Sequence, residues 1–239
     1  MRILEGTGVS KSFGGLKAVS DVDFFVEEGE ILGLIGPNGA GKTTFFNLLS
    51  GALQMDSGTV MLGDKKISGL KPNQICHAGM GRTFQTAKNF SGMVVYQNVM
   101  MGALFGKKGR GTAEAAQITD EVLEFVGLSE LKNKMVSDIP LSAQKQLEVA
   151  RALATRPKIL LLDEVMAGLN PTEVEEAMKL ILRIRESGIT VIMIEHVMRA
   201  IMTICDRIIV LHHGAKIAEG TPQEISTSKT VIEIYLGES

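Results

Sequence analysis

The chain has 239 residues, enough at roughly 150 residues per domain for one large domain, or one domain and a lobe. Lys and Arg number 25 and Asp and Glu 27, a net charge of −2 that removes the electrostatic case for a nucleic-acid-coating protein. A 45% apolar and 22% charged composition argues against disorder. No apolar run reaches the ~18 residues of a membrane span, and Met1 to Gly6 lacks the apolar core of a secretory signal. Cys76 and Cys205 form no disulfide or metal pattern, so a reduced, cytoplasmic chain is expected. Glycine is the one unusual count, 26 residues against an average near ~7%.

The N-terminal part reads as β. Val22, Phe24 and Val26 alternate with Asp21, Asp23 and Glu27, the period of a half-buried strand. Ile31 to Ile35 is a continuous apolar run, as in a strand buried on both faces. A glycine-rich loop leads to a predicted helix, Thr43 to Leu49, and Asp56-Ser57-Gly58 turns into a short strand, Thr59 to Leu62. Val94 to Phe105 and Ala113 to Val126 have helical character, with the basic link Gly106 to Gly111 between them. Residues 86–142 are thus expected to form a helical lobe inserted in an α/β core made of 1–85 and 143–239. A helix over Lys145 to Ala154 precedes a buried strand, Ile159 to Leu162. Asn170-Pro171 with Glu173 opens the next helix as a capping box, which Gly188 closes. Ile189 to Ile194 and Arg207 to Leu211 are two more strands. Strands alternating with helices imply a largely parallel sheet.

Gly36-Pro37-Asn38-Gly39-Ala40-Gly41-Lys42-Thr43 fits the phosphate-loop pattern between a strand and a helix. Gly36, Gly39 and Gly41 let backbone N–H groups turn toward phosphate oxygens, and the helix N-terminus adds partial positive charge. Lys42 can reach the β- and γ-phosphates, and the Thr43 hydroxyl can ligate Mg²⁺. The site needs a carboxylate at the end of a neighbouring strand. Asp163 follows Leu162 directly and suits the Mg²⁺ shell; Glu164, next in line, suits activation of the attacking water.

With both halves present, the chain resembles the ATP-binding subunits of ABC transporters along essentially its whole length, most of all those of branched-chain amino-acid importers. Arg82-Thr83-Phe84-Gln85, Ala167-Gly168-Leu169-Asn170-Pro171, Ile194-Glu195-His196-Val197-Met198 and Gly220-Thr221-Pro222 carry this likeness. The resemblance implies a P-loop NTPase core with an N-terminal antiparallel β region and a helical lobe. It also implies ATP and Mg²⁺ as cofactors, with Pro37, Asn38, Ala40 and Thr44 completing the phosphate loop. Phe13 matches an aromatic that stacks on adenine, although alone it reads equally well as a core residue. Gln85 matches a glutamine that senses Mg²⁺ and water, and His196 a switch histidine that meets the γ-phosphate. His77, His212 and His213 read as surface or structural. Val165 stands where a proline is usual, which changes loop stiffness. Met93, Met100 and Met101 fall where the lobe of such proteins meets its membrane partner.

The implied partners are transmembrane permease subunits, a second ATPase subunit paired head to tail (the same chain or a sister), and an external substrate-binding protein. The chain would then sit on the inner face of the membrane through the permease, with no nucleic-acid partner. A urea or amide importer and a soluble nucleotide-gated ATPase or regulatory module are the alternatives. One departure stands out. The signature Leu-Ser-Gly-Gly-Gln is expected ahead of the helix containing Leu147, where this chain has Leu141-Ser142-Ala143-Gln144. Ser142 is the candidate for contact with the partner's ATP, and the spacing to Ala150-Arg151 suggests a loop two residues short between Ser142 and Ala143. Either the deletion is real or two residues are missing from the chain as read. The intact flanks favour the second.

Overall fold

The computed structural model describes residues 1–83 and 89–237. In chain order its elements are β1 (Arg2–Phe13), β2 (Leu16–Glu27), β3 (Ile31–Ile35), α1 (Lys42–Leu49), β4 (Ser57–Leu62), β5 (Lys65–Lys66), α2 (Pro72–Ala78) and β6 (Met80–Arg82). After these come α3 (Val95–Phe105), α4 (Thr112–Val126), α5 (Leu141–Leu153), β7 (Ile159–Asp163), α6 (Pro171–Glu186), β8 (Thr190–Ile194) and α7 (Met198–Ile204). The chain ends with β9 (Arg207–His212), β10 (Ala215–Gly220), α8 (Pro222–Thr227) and α9 (Lys229–Gly237).

Two sheets result. The first is antiparallel, in the order β2-β1-β4-β5, and the second runs β10-β9-β3-β8-β7-β6. Within the second, β9, β3, β8, β7 and β6 pair in parallel and β10 closes one edge antiparallel to β9. The central strands β3, β7 and β8 are buried at every position, which explains why they read as unbroken apolar runs. Their side chains alternate between two cores. Ile31, Ile35, Leu160, Leu162, Val191 and Met193 pack with the helices of the lobe and the C-terminal half. Leu32, Leu34, Ile159, Leu161, Ile192 and Ile194 pack with Phe45, Phe46, Leu48 and Leu49 of α1 and with the antiparallel sheet. Helix α1 is thus held between the sheets, with the phosphate loop at its start.

The register brings the chemistry to one edge. Leu34 lies opposite Ile194 and Ile194 opposite Asp163, so β3, β8 and β7 end together, the place where open parallel sheets take their ligands. β7, which carries the acid, is not hydrogen-bonded to β3; β8 lies between them. The predicted strand around Val22–Val26 is one end of the longer β2, whose partner β1 the alternation signal did not reveal.

Of the two explanations for the unusual signature, the favoured one, residues missing from the chain as read, is corrected here. Helix α5 starts at Leu141 and runs unbroken through Ser142 and Ala143 to Leu153, and Gln144 N–H donates to Pro140 O at 3.0 Å. The helix therefore begins four residues before Lys145, and Ser142 is bonded directly to Ala143 in the full sequence, so the explanation by residues missing from the chain as read fails and the departure from the signature is the chain's own. The loop differs in residue type. Pro140 stands at the cap, with no side-chain hydrogen bond to the first turn, where a serine would offer a hydroxyl. Leu141 and Ser142 open the helix, and its first turn contains no glycine.

Candidate active site

The loop between β3 and α1 adopts backbone angles that its glycines make possible. Gly39 and Gly41 have φ of +79° and +102°, in the left-handed region open to glycine. A Cβ on Gly41 would also meet the Ala18 carbonyl oxygen at 2.2 Å. Helix α1 has no side-chain cap, so its first N–H groups are available to an anion. Lys42 is 6% exposed, and its Nζ donates to Gly36 O at 2.6 Å and Pro37 O at 2.9 Å. Burial pulls its pKa below the ordinary lysine value, opposed by the charges of Glu164 and Asp163.

An open cleft of about 480 Å³ lies over this loop, lined among others by Phe13, Lys42, Thr43, Thr44, Glu164 and His196. Asn38, Gly39, Ala40 and Gly41 also face it. Phe13 is 48% exposed at the end of β1, outside the core, with Lys11 Nζ 5.6 Å from its ring centre. Gln85, with Phe84, lies outside the described residues. Ser142 lies apart from the cleft, on α5 beside Val165 and Leu169. Val165 is buried in the core.

At the end of β7, Asp163 is fully buried. Its Oδ2 accepts from Arg82 at 3.0 Å, and its N–H donates to Thr83 Oγ1 at 3.0 Å. Burial pushes its carboxyl above the usual aspartate range, opposed by the Arg82 guanidinium. Arg82 is also held by Asn47 Oδ1 and Ser50 Oγ, each at 2.7 Å, which ties the acid's counter-charge to the end of α1. The other carboxylate oxygen, Oδ1, is buried and accepts no hydrogen bond from the described residues. Such an atom is costly unless it meets a donor or a cation. An aspartate oxygen and a threonine hydroxyl near the β/γ-phosphate position form a hard-oxygen donor set that fits Mg²⁺.

Glu164 follows in a left-handed conformation, φ +53°, which is strained for a non-glycine residue. Its N–H donates to Ile194 O at 2.9 Å, and its carbonyl accepts from Ala167 N–H at 3.2 Å. The carboxylate Oε1 lies 3.0 Å from His196 Nε2. The turn thus presents one carboxylate toward the cleft in contact with the histidine at the end of β8.

Sequence reasoning missed three contributors. Glu195 and Lys145 are buried, at 3% and 7% exposure. Glu195 Oε1 accepts from Met166 N–H at 2.8 Å, and Lys145 Nζ donates to Glu164 O at 3.3 Å. Burial raises the Glu195 carboxyl to about 7. His213, read as surface or structural, lines the cleft with a φ of +47°. An isolated charge beside a strand or in a helix carries no periodic signal, so none of the three stood out.

A phosphate loop with a buried lysine, an acid pair at the end of a nearby strand and a histidine beside the second acid define a P-loop nucleotide hydrolase with an ABC-type cassette. The ABC transporter family model matches residues 19–167, and a branched-chain amino acid ATP-binding cassette transporter model matches 215–239. The chain belongs to the ABC transporter family as an ATP-binding, ATP-hydrolysing subunit.

Among its relatives, the high-affinity branched-chain amino acid transport ATP-binding protein BraF of Pseudomonas aeruginosa is 40% identical, covering 99% of this chain and 98% of the relative. The lipopolysaccharide export system ATP-binding protein LptB of Escherichia coli is 34% identical over 100% of this chain and 98% of its own. A crystal structure of the ADP conformation of an ABC transporter's ATP-binding cassette superposes with a TM-score of 0.89 at 31% identity, covering 99% of each chain.

Proposed function

We propose that this chain powers an importer of branched-chain or other hydrophobic amino acids, with Lys42, Asp163, Glu164 and His196 as its hydrolytic centre. The observation that carries the catalytic reading is the 3.0 Å contact between the Glu164 carboxylate and His196 above the phosphate loop. Glu164 is then the base for the attacking water, and His196 and Lys42 stabilise charge on the transferring group. Thr43 and the unpartnered oxygen of Asp163 would hold Mg²⁺, which neutralises charge on the β- and γ-phosphate oxygens. Phe13, exposed at the rim of the cleft, is the adenine platform. The branched-chain amino acid cassette match over 215–239 and the 40% identity to a branched-chain amino acid transport ATP-binding protein support the substrate class; the likeness to a lipopolysaccharide exporter's subunit supports the hydrolytic machinery alone.

A second groove of about 470 Å³ suits a permease segment. It is mainly apolar and is lined by Phe90, Met101 and Phe105, with Glu148 and Arg151 at its polar side. Phe90 and Phe105 are exposed, at 41% and 68%, as expected of an anchor site for a partner. No helix among the described residues is long and apolar enough to cross a membrane, so membrane attachment is assigned to the permease. The second ATPase subunit pairs head to tail. The partner is the same chain or a sister ATPase. The family match over residues 19–167 and the likeness to branched-chain amino acid transport ATP-binding proteins favour the importer reading over a regulatory module. Reconstitution with its permease and external binding protein tests the reading: leucine, isoleucine or valine should raise ATP turnover several-fold, and stimulation by urea or amides instead would redirect the substrate assignment.

A further inference from the structure

The Glu164 backbone sits in a strained conformation, and its own hydrogen bonds to Ile194 and Ala167 come from the sheet and from its own turn. Two buried charged side chains reach the same turn from elsewhere. Lys145, in the second turn of α5, donates to the Glu164 carbonyl, and Glu195, at the end of β8, accepts from Met166 N–H. The charge of Lys145 also acts on both Asp163 and Glu195, favouring their ionised forms against burial. Burying a charge is costly unless it is paired and hydrogen-bonded, yet neither side chain lines the nucleotide cleft, where a charge would meet substrate. Their common feature is the turn.

We propose that Lys145 and Glu195 are positioning residues that clamp the Glu164–Met166 turn, so that the Glu164 carboxylate is held toward the nucleotide cleft. This rests on Glu164 being the base. Helix α5 adds a consequence. Its first residue, Leu141, packs close to Gly168, where a Cβ would come within 3.1 Å of Leu141 Cδ2. The face of α5 directed at the second subunit is therefore joined through Lys145 to the base of this chain's own site. A shift of α5 on subunit pairing is carried to Glu164 without any change in the phosphate loop.

The test is steady-state ATP turnover of the assembled transporter carrying Lys145→Met, Lys145→Arg or Glu195→Ala in this chain, beside Glu164→Gln. A clamp predicts that Lys145→Met lowers kcat about tenfold or more while KM for ATP stays within about twofold, the pattern of an interaction needed in the transition state alone. Lys145→Arg keeps the charge and a donor and returns kcat to within about threefold of wild type; Glu195→Ala lowers kcat in the same selective way. If Lys145→Met does not yield folded protein, Lys145→Gln is held to the same criterion. Turnover within twofold of wild type in the Lys145→Met and Glu195→Ala variants, a parallel rise in KM, or no rescue by arginine overturns the clamp. If Glu164→Gln itself turns over normally, the base assignment fails and the clamp falls with it. If Glu164→Gln is inactive while Lys145→Met is unimpaired, the clamp alone fails.

Discussion

The phosphate-loop side and the α5 side of this chain differ in equipment. On the first, left-handed glycines, a buried lysine, Glu164 and a histidine line one cleft, with Asp163 buried one residue before Glu164. On the second, a helix N-terminus is present without a capping side chain, and proline and leucine occupy its most exposed positions. The backbone donors of a helix end survive such replacements, whereas the hydroxyl and the close approach that glycine allows do not. The comparison teaches that two helix N-termini in one chain can be equipped very differently, α1 by glycines and a buried lysine and α5 by proline, leucine and Ser142.

Perturbing each side should separate them. The largest effect is expected at Glu195, which supports the phosphate-loop side from beneath. Its folded-state carboxyl value near 7 lies above the ordinary 4.5, so the group favours the folded state fully below about pH 4.5 and this contribution is lost as pH rises through 7. The difference is on the order of 3 kcal/mol. Urea unfolding from pH 4 to 8 should show wild-type stability falling across that window relative to Glu195→Gln; parallel curves would remove the buried charge from the account. Gly41→Ala comes next. Left-handed strain and the clash with Ala18 O should weaken ATP binding about 30-fold, roughly 2 kcal/mol, measurable by equilibrium titration with a fluorescent ATP analogue. Asn170, whose side chain accepts from Thr172 N–H and Glu173 N–H, should cost about 1 kcal/mol of stability as Asn170→Ala, read by thermal unfolding. The smallest effect belongs to the α5 side: Ser142→Ala should leave this chain's own ATP affinity within about twofold, and a larger loss would erase the contrast.

Much of the core could be read in the sequence because buried parallel strands write themselves as apolar runs. Ile31–Ile35 and the strand ending at Asp163 are of that kind. The capping box at Asn170 was equally legible, since its residue types are tied to fixed offsets. The long hairpin strand β1 was not, because register shifts interrupt its pairing with β2 and blur the alternation. The start of α5 was placed too late for a different reason: Leu141 to Gln144 were read as signature loop, whereas they form the first turn of the helix. Lys145 and Glu195 could be recognised only after α5 and β8 were folded against one turn, since their meaning lies in contacts between elements distant in sequence.

The central claim is that Glu164, presented by its left-handed turn and joined to His196, performs the hydrolytic step on this chain's own phosphate-loop side. The most direct measurement is ATP turnover and ATP binding of the assembled transporter with Glu164→Gln in this chain. Turnover should fall by about a hundredfold or more while ATP affinity stays within about threefold of wild type. Turnover above a third of the wild-type rate would contradict the assignment.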